Sequence, residues 1–181
     1  MPDLLPPDPT VAPLLTSSAR KRCFPPVVDA RTRLLVLGSL PGEQSLAQQQ
    51  YYGNRQNRFW MLMSEVTGVD LVPLAYAQRL EALLERRVGL WDVVAEAHRP
   101  GSLDSAIRDR DDNDLLALVA SLPELTTIAF NGGTAARLGL KVLGAQAAAY
   151  TIVALPSSSP AYTLAYGDKL AQWRVLRQAL A

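Results

Sequence analysis

Four short segments hold most of the side chains in this chain that could bind or transform a ligand. They are Gly38-Ser39-Leu40-Pro41-Gly42, Tyr51-Tyr52-Gly53-Asn54-Arg55-Gln56-Asn57-Arg58, Asn131-Gly132-Gly133 and Ser157-Ser158-Ser159. The second segment is the richest. Two adjacent tyrosines offer a flat ring to stack on, Asn54 and Asn57 offer neutral amides, and Arg55 and Arg58 offer charge for phosphates. Stacking, amide hydrogen bonds and cations in one stretch suit a nucleobase carried on its backbone. Other chemistries lack their parts. A single histidine, His98, and a single cysteine, Cys23, can build neither a zinc site of His and Cys ligands nor a four-cysteine iron–sulfur cluster, so no metal and no cofactor is expected. The serines lack the Gly-x-Ser-x-Gly setting of a hydrolase nucleophile, and the Gly38 segment lacks the Gly-Lys-Ser or Gly-Lys-Thr of a P-loop.

The elements that must position these segments follow from pattern. Apolar runs over 33–39, 88–94, 126–130 and 150–155 read as buried strands bounded by Gly, Pro and Ser. Between them, helical spacing and capping residues predict helices over 43–50, 57–67, 73–87, 114–121, 134–138 and 168–180. A polar loop is expected to carry His98, Arg99, Pro100 and Gly101. Strands alternating with helices predict an α/β sandwich around a mostly parallel central sheet. In such sheets ligands sit beyond the carboxyl ends of the strands, where the loops at Gly38, Asn131 and Pro156 all lie.

With 181 residues, 49% of them hydrophobic and 19% charged, the chain has the size and balance of one globular domain. Residues 1–19 contain five prolines and no periodic apolar pattern, which predicts a flexible tail before a single domain over 20–181. No run approaches the ~18 apolar residues of a membrane helix. The start lacks a basic region followed by an apolar one, and a lone cysteine forms no internal disulfide, so a cytoplasmic protein without a membrane partner is expected. The net charge of +1 leaves a nucleic-acid footprint to local clusters, Arg20-Lys21-Arg22 and Arg55 with Arg58.

From Phe24 to the end the chain resembles the uracil-DNA glycosylase superfamily and, within it, the hypoxanthine-DNA glycosylases of family 6. The resemblance rests on Phe24-Pro25-Pro26-Val27, Leu37-Gly38-Ser39-Leu40-Pro41-Gly42, Tyr51-Tyr52-Gly53-Asn54, Asn57-Arg58-Phe59-Trp60, Leu90-Trp91-Asp92-Val93, Gly101-Ser102-Leu103-Asp104, Phe130-Asn131-Gly132 and Leu155-Pro156-Ser157-Ser158-Ser159-Pro160, in that order. It implies a three-layer α/β/α sandwich with a four-stranded sheet. Most members of the superfamily carry Asp or Asn where this chain has Leu40. Leucine can neither accept a proton nor orient water, so the resemblance transfers the catalytic polar role to Asn57. It further implies base contacts from Gly38, Ser39, Leu40, Pro41, Tyr52 and Asn131, and DNA contacts from Arg55, Arg58, Ser157, Ser158 and Ser159. A His-Pro pair common in related enzymes is Asn54-Arg55 here.

The expected activity is therefore a monofunctional glycosylase that flips a deaminated base, chiefly hypoxanthine, from double- or single-stranded DNA and hydrolyses its N-glycosidic bond. A monomer is the simplest state. No lyase step is expected, because Lys21, Lys141 and Lys169 lie outside the motif segments. A uracil or mismatch glycosylase on the same fold is one alternative, and a non-catalytic nucleic-acid- or nucleotide-binding module is another. Plainer roles also fit some residues: Asn57 suits a helix cap, Asn131-Gly132 a turn, Tyr51 and Tyr52 the core, and Asp92 and Asp104 structural positions.

Overall fold

The computed structural model describes residues 19–181, so the expected tail falls, apart from Ala19, outside the described residues. In chain order the elements are β1 (Lys21–Arg22), β2 (Leu34–Gly38), α1 (Glu43–Gln48), α2 (Phe59–Thr67), α3 (Tyr76–Glu85), β3 (Val88–Asp92), β4 (Val94–His98), β5 (Arg108–Asp112), α4 (Leu115–Ala120), β6 (Thr127–Asn131), α5 (Gly133–Leu143), β7 (Thr151–Leu155), α6 (Tyr166–Trp173) and α7 (Arg177–Leu180). The expected parallel sheet is present. Its order is β3-β2-β6-β7, and every pairing in it is parallel.

Parallel sheets are covered on both faces, and β2 shows why its sequence is apolar throughout. Leu34 and Val36 face a core shared with Phe59, Leu62 and Met63 of α2, Leu83 of α3 and Trp173 of α6. Leu35 and Leu37 face the opposite core, with Leu115 and Val119 of α4 and Ala135 and Leu138 of α5. Two helical layers therefore enclose the sheet, as the sandwich reading requires. The chain leaves β2 toward β3 on one side and leaves β6 toward β7 on the other. The strand order thus reverses between β2 and β6, the place where an open α/β sheet leaves a crevice.

Several boundaries differ from expectation. The helix expected over 73–87 begins only at Tyr76, capped at Ala75, whose N–H donates to the Gln78 side chain at 3.2 Å. The helix expected to stop at Leu138 runs on to Leu143, because Gly139 is a packing residue: a Cβ there would lie 2.2 Å from the Phe130 ring. The closing helix is split by a 3-10 turn at Arg174–Leu176. Of the expected polar loop over His98, Arg99, Pro100 and Gly101, His98 instead ends strand β4, part of a second, three-stranded sheet of order β1-β4-β5, while the other three residues follow it as a loop. No helix among the described residues is long and apolar enough to cross a membrane.

Candidate active site

Three loops leave the carboxyl ends of β2, β6 and β7 and enclose a cavity of about 480 Å³ at the crevice between β2 and β6. Gly38, Ser39, Leu40 and Pro41 line one wall; Ser157, Ser158 and Ser159 line the other. Tyr52, Asn57, Asn131, Asp92 and Asp104 complete it. The structure thus brings together the base-contact residues and the candidate catalytic residue, from segments far apart in the chain.

The tyrosine pair divides. Tyr51 is buried, its ring edge-on to Phe24 and its hydroxyl donating to the Pro25 carbonyl at 2.9 Å. Tyr52 turns the chain with φ +53°, in the left-handed region, and its ring stacks on Phe59 at 3.7 Å between centroids. Phe59 occupies one face of Tyr52. A flat ligand is left the other.

Asn57 precedes α2 and its Oδ1 accepts from the Phe59 N–H at 2.9 Å. That bond closes an Asx turn one residue ahead of Arg58, the N-cap of α2. It uses one of the two acceptor sites on the amide oxygen and leaves the geometry compatible with holding a water. The Arg58 N–H donates to the Ser158 carbonyl at 3.0 Å, which fixes the start of α2 to the serine loop.

Asn131 ends β6 and is buried. Its Nδ2 donates to Ser158 Oγ at 2.9 Å, and its Oδ1 accepts from the Ser158 N–H at 2.9 Å. This exchange takes one donor and one acceptor of the amide, the other N–H faces the Tyr52 hydroxyl, and a lone pair is left for a ligand. The turn that permits it needs glycine. Gly132 sits at φ +104°, and a Cβ there would come within 3.1 Å of Ser157. Ser158 itself is fully buried. It locks the loop from inside, whereas Ser157 and Ser159 cap turns of the same loop, accepting from the N–H groups of Ser159 and Ala161. Expecting all three serines at the DNA surface therefore misplaces Ser158.

Arg55 and Arg58 are exposed, and neither joins an ion pair among the described residues. The other basic cluster is neutralised: Arg20 pairs with Glu96 and Asp111, Lys21 with Glu43, and Arg22 with Glu96. Arg99, expected in a polar loop, is wholly buried. Its guanidinium donates to the carbonyls of Leu40, Pro41 and Gly101, and so suspends the first loop from inside. Lys169 plays the matching part opposite. It is buried on α6 and donates to the Ser159 carbonyl at 3.0 Å.

Sequence reasoning undervalued two carboxyls. Asp92 ends β3 opposite Gly38 in register, and a Cβ on Gly38 would lie 2.6 Å from Asp92 Oδ1. Glycine is what lets the strands carry this acid into the cavity. Burial, followed by the neighbouring Asp104, pushes the Asp92 carboxyl up to about 7. Asp104 is also raised, by burial, while accepting from Ser39 Oγ at 2.6 Å. The available signal was position: Asp92 terminates an apolar strand at the sheet edge where every motif loop gathers. Among the described residues no group of three or more His, Cys, Asp or Glu side chains is placed to hold a metal ion.

Known proteins resemble this chain in sequence and fold. The family model of the uracil DNA glycosylase superfamily matches residues 25–180. A Methanosarcina acetivorans protein named hypoxanthine DNA glycosylase is 40% identical over 156 residues, which cover 86% of this chain and 97% of that protein. A protein of the same name from Methanosarcina barkeri is 43% identical over 113 residues, 62% of this chain and 72% of that one. The solution NMR structure of a candidate uracil DNA glycosylase from Methanosarcina acetivorans superposes with a TM-score of 0.79 at 39% identity, covering 90% of this chain and 99% of the other.

Proposed function

The chain belongs to the uracil DNA glycosylase superfamily, and from that premise we propose that it excises a deaminated base, chiefly hypoxanthine, from DNA and leaves an abasic site. The observation that carries the reading is one cavity uniting an aromatic face, two amides and a buried acid at the strand-order reversal. The two relatives named for hypoxanthine supply the choice of base.

Breaking an N-glycosidic bond gives a sugar with oxocarbenium character and a base that leaves with negative charge. The target nucleotide must leave the duplex to reach the cavity, at a cost of a few kcal/mol. Stacking on the open face of Tyr52 offsets about 1 to 3 kcal/mol of it. The remaining lone pair of the Asn131 amide then meets an N–H on the base. Asn57 holds the attacking water with its second lone pair, a modest demand because the carbon attacked is already cationic. Leu40 contributes only apolar surface, which disfavours a mechanism built on a water-activating group at that position. Arg55 and Arg58 hold phosphates at the rim, on double- or single-stranded DNA, and the protein acts as a monomer. No sugar-linked Schiff base forms, since Lys169 is committed to the Ser159 carbonyl and Lys21 to Glu43.

Replacing Asn57 with alanine tests this assignment. The variant should lose about 10²- to 10³-fold in single-turnover release yet still bind a duplex containing deoxyinosine. Unchanged turnover would remove Asn57 from the reaction, and a wild-type protein that binds without turnover would be a binding module.

A further inference from the structure

Asp92 is an acid with no assigned task. It is 4% exposed, lines the cavity, and its Oδ2 has no hydrogen-bond partner among the described residues. A buried polar atom without a partner is costly, so its retention calls for a use. Asp92 lines the same cavity as Tyr52 and Asn131, the two residues assigned to the base, and a Cβ on Gly38 of the base-contact loop would lie 2.6 Å from Asp92 Oδ1. We propose that the Asp92 carboxyl donates the proton that a bound purine takes up at N7 as its bond to the sugar breaks. This rests on the reading of the chain as a hypoxanthine glycosylase.

The step balances. The electron pair of the C1′–N9 bond passes to the purine, the proton from Asp92 neutralises it at N7, and hypoxanthine departs as a neutral tautomer. Water adds to C1′, and the proton it loses restores the Asp92 carboxyl. N7 is the most basic ring nitrogen of hypoxanthine and lies in the same five-membered ring as the leaving N9, so protonation there relieves the charge where it forms.

The surroundings suit a proton held and then released. The ionisable groups facing Asp92 are Asp104, Arg99, Tyr51, Tyr52 and Cys23. Burial and Asp104 favour the protonated carboxyl, while Arg99 favours the carboxylate left after transfer. The tyrosine hydroxyls are themselves pushed up by burial and stay neutral.

The test compares single-turnover release of hypoxanthine and of 7-deazahypoxanthine, which has carbon in place of N7, from otherwise identical duplexes between pH 5 and 9. For wild type, hypoxanthine release should fall about tenfold for each pH unit above about 7, while release of the 7-deaza base should be at least about 100-fold slower and flat with pH. Asp92→Asn should slow hypoxanthine about 100-fold, flatten its profile and collapse the difference between the two bases. Asp104→Asn should move the wild-type midpoint to lower pH, a shift that a merely structural role would not produce. A flat wild-type profile for hypoxanthine, or an Asp92→Asn protein that keeps the wild-type ratio and profile, overturns the proposal while leaving the glycosylase reading intact. Wild-type protein that releases hypoxanthine at no pH overturns both. The wild-type profiles decide the matter even if the Asp92 variant does not fold.

Discussion

The two walls of the cavity hang from buried cations, yet they are built from different chemistry. On the β2 side Arg99 donates to three backbone carbonyls, with two raised carboxyls, Asp92 and Asp104, close by. On the β7 side Lys169 donates to one carbonyl, and the loop is fixed mainly by the neutral exchange between Asn131 and Ser158. The first wall is charged and answers to pH. The second is held mainly by neutral hydrogen bonds and supplies shape. A site that must stabilise a leaving base and also hold a reproducible outline can divide those duties between walls, because neutral hydrogen bonds keep their geometry while protons move elsewhere.

The sharpest way to break this contrast is to remove each cation. Arg99→Ala leaves the buried carbonyls of Leu40 and Pro41 without their donor, while that of Gly101 keeps the Lys21 ammonium, so it should destabilise the fold by about 2 kcal/mol or more; Lys169→Met, which strands one carbonyl, should cost about 1 kcal/mol. Denaturant unfolding measures both, and equal losses would erase the distinction between the walls. Next comes pH. The folded Asp92 carboxyl keeps its proton to about 7, well above its ordinary value, so the stability it confers is full below about pH 4 and is lost as pH rises through about 7. The slope is at most about 1.4 kcal/mol per unit. Asp92→Asn should remove it and leave the protein about 2 kcal/mol more stable than wild type at pH 8, read as a higher melting temperature; a lower one at that pH contradicts the charged-wall account.

Smaller effects sharpen the neutral wall. Ser158→Ala removes one partner of the Asn131 amide and should cost about 1 kcal/mol without altering the pH dependence of stability. A changed pH dependence would mean that the two walls are coupled. Smallest in stability is Arg58→Ala, expected to stay within about 0.5 kcal/mol of wild type. Its signature is in binding: the slope of log affinity against log salt should fall by about 0.9 if Arg58 neutralises one phosphate, and an unchanged slope would take Arg58 off the DNA.

The neutral wall and the sheet were the legible parts of the sequence. Strands β2, β6 and β7 lie within one residue of expectation at each end, because each is a short apolar run closed by Gly, Asn or Pro. Asn131 and the serines were legible as a loop pair. The charged wall was not. Asp92 becomes a cavity acid only through its register with Gly38, and Arg99 becomes a loop anchor only because β4 pairs with β1 and β5 and carries it inward. Strand β5 itself, Arg108–Asp112, is exposed at every position and entirely charged, with none of the alternation that marks a strand. Local pattern reports which residues are apolar; the burial of a charge depends on partners far along the chain.

The most direct measurement of the whole account is single-turnover cleavage, by purified protein, of matched duplexes carrying one hypoxanthine or one uracil, with alkali used to reveal abasic sites. The account predicts faster release of hypoxanthine and no strand cleavage before alkali. Faster release of uracil, or strand cleavage before alkali, would contradict it.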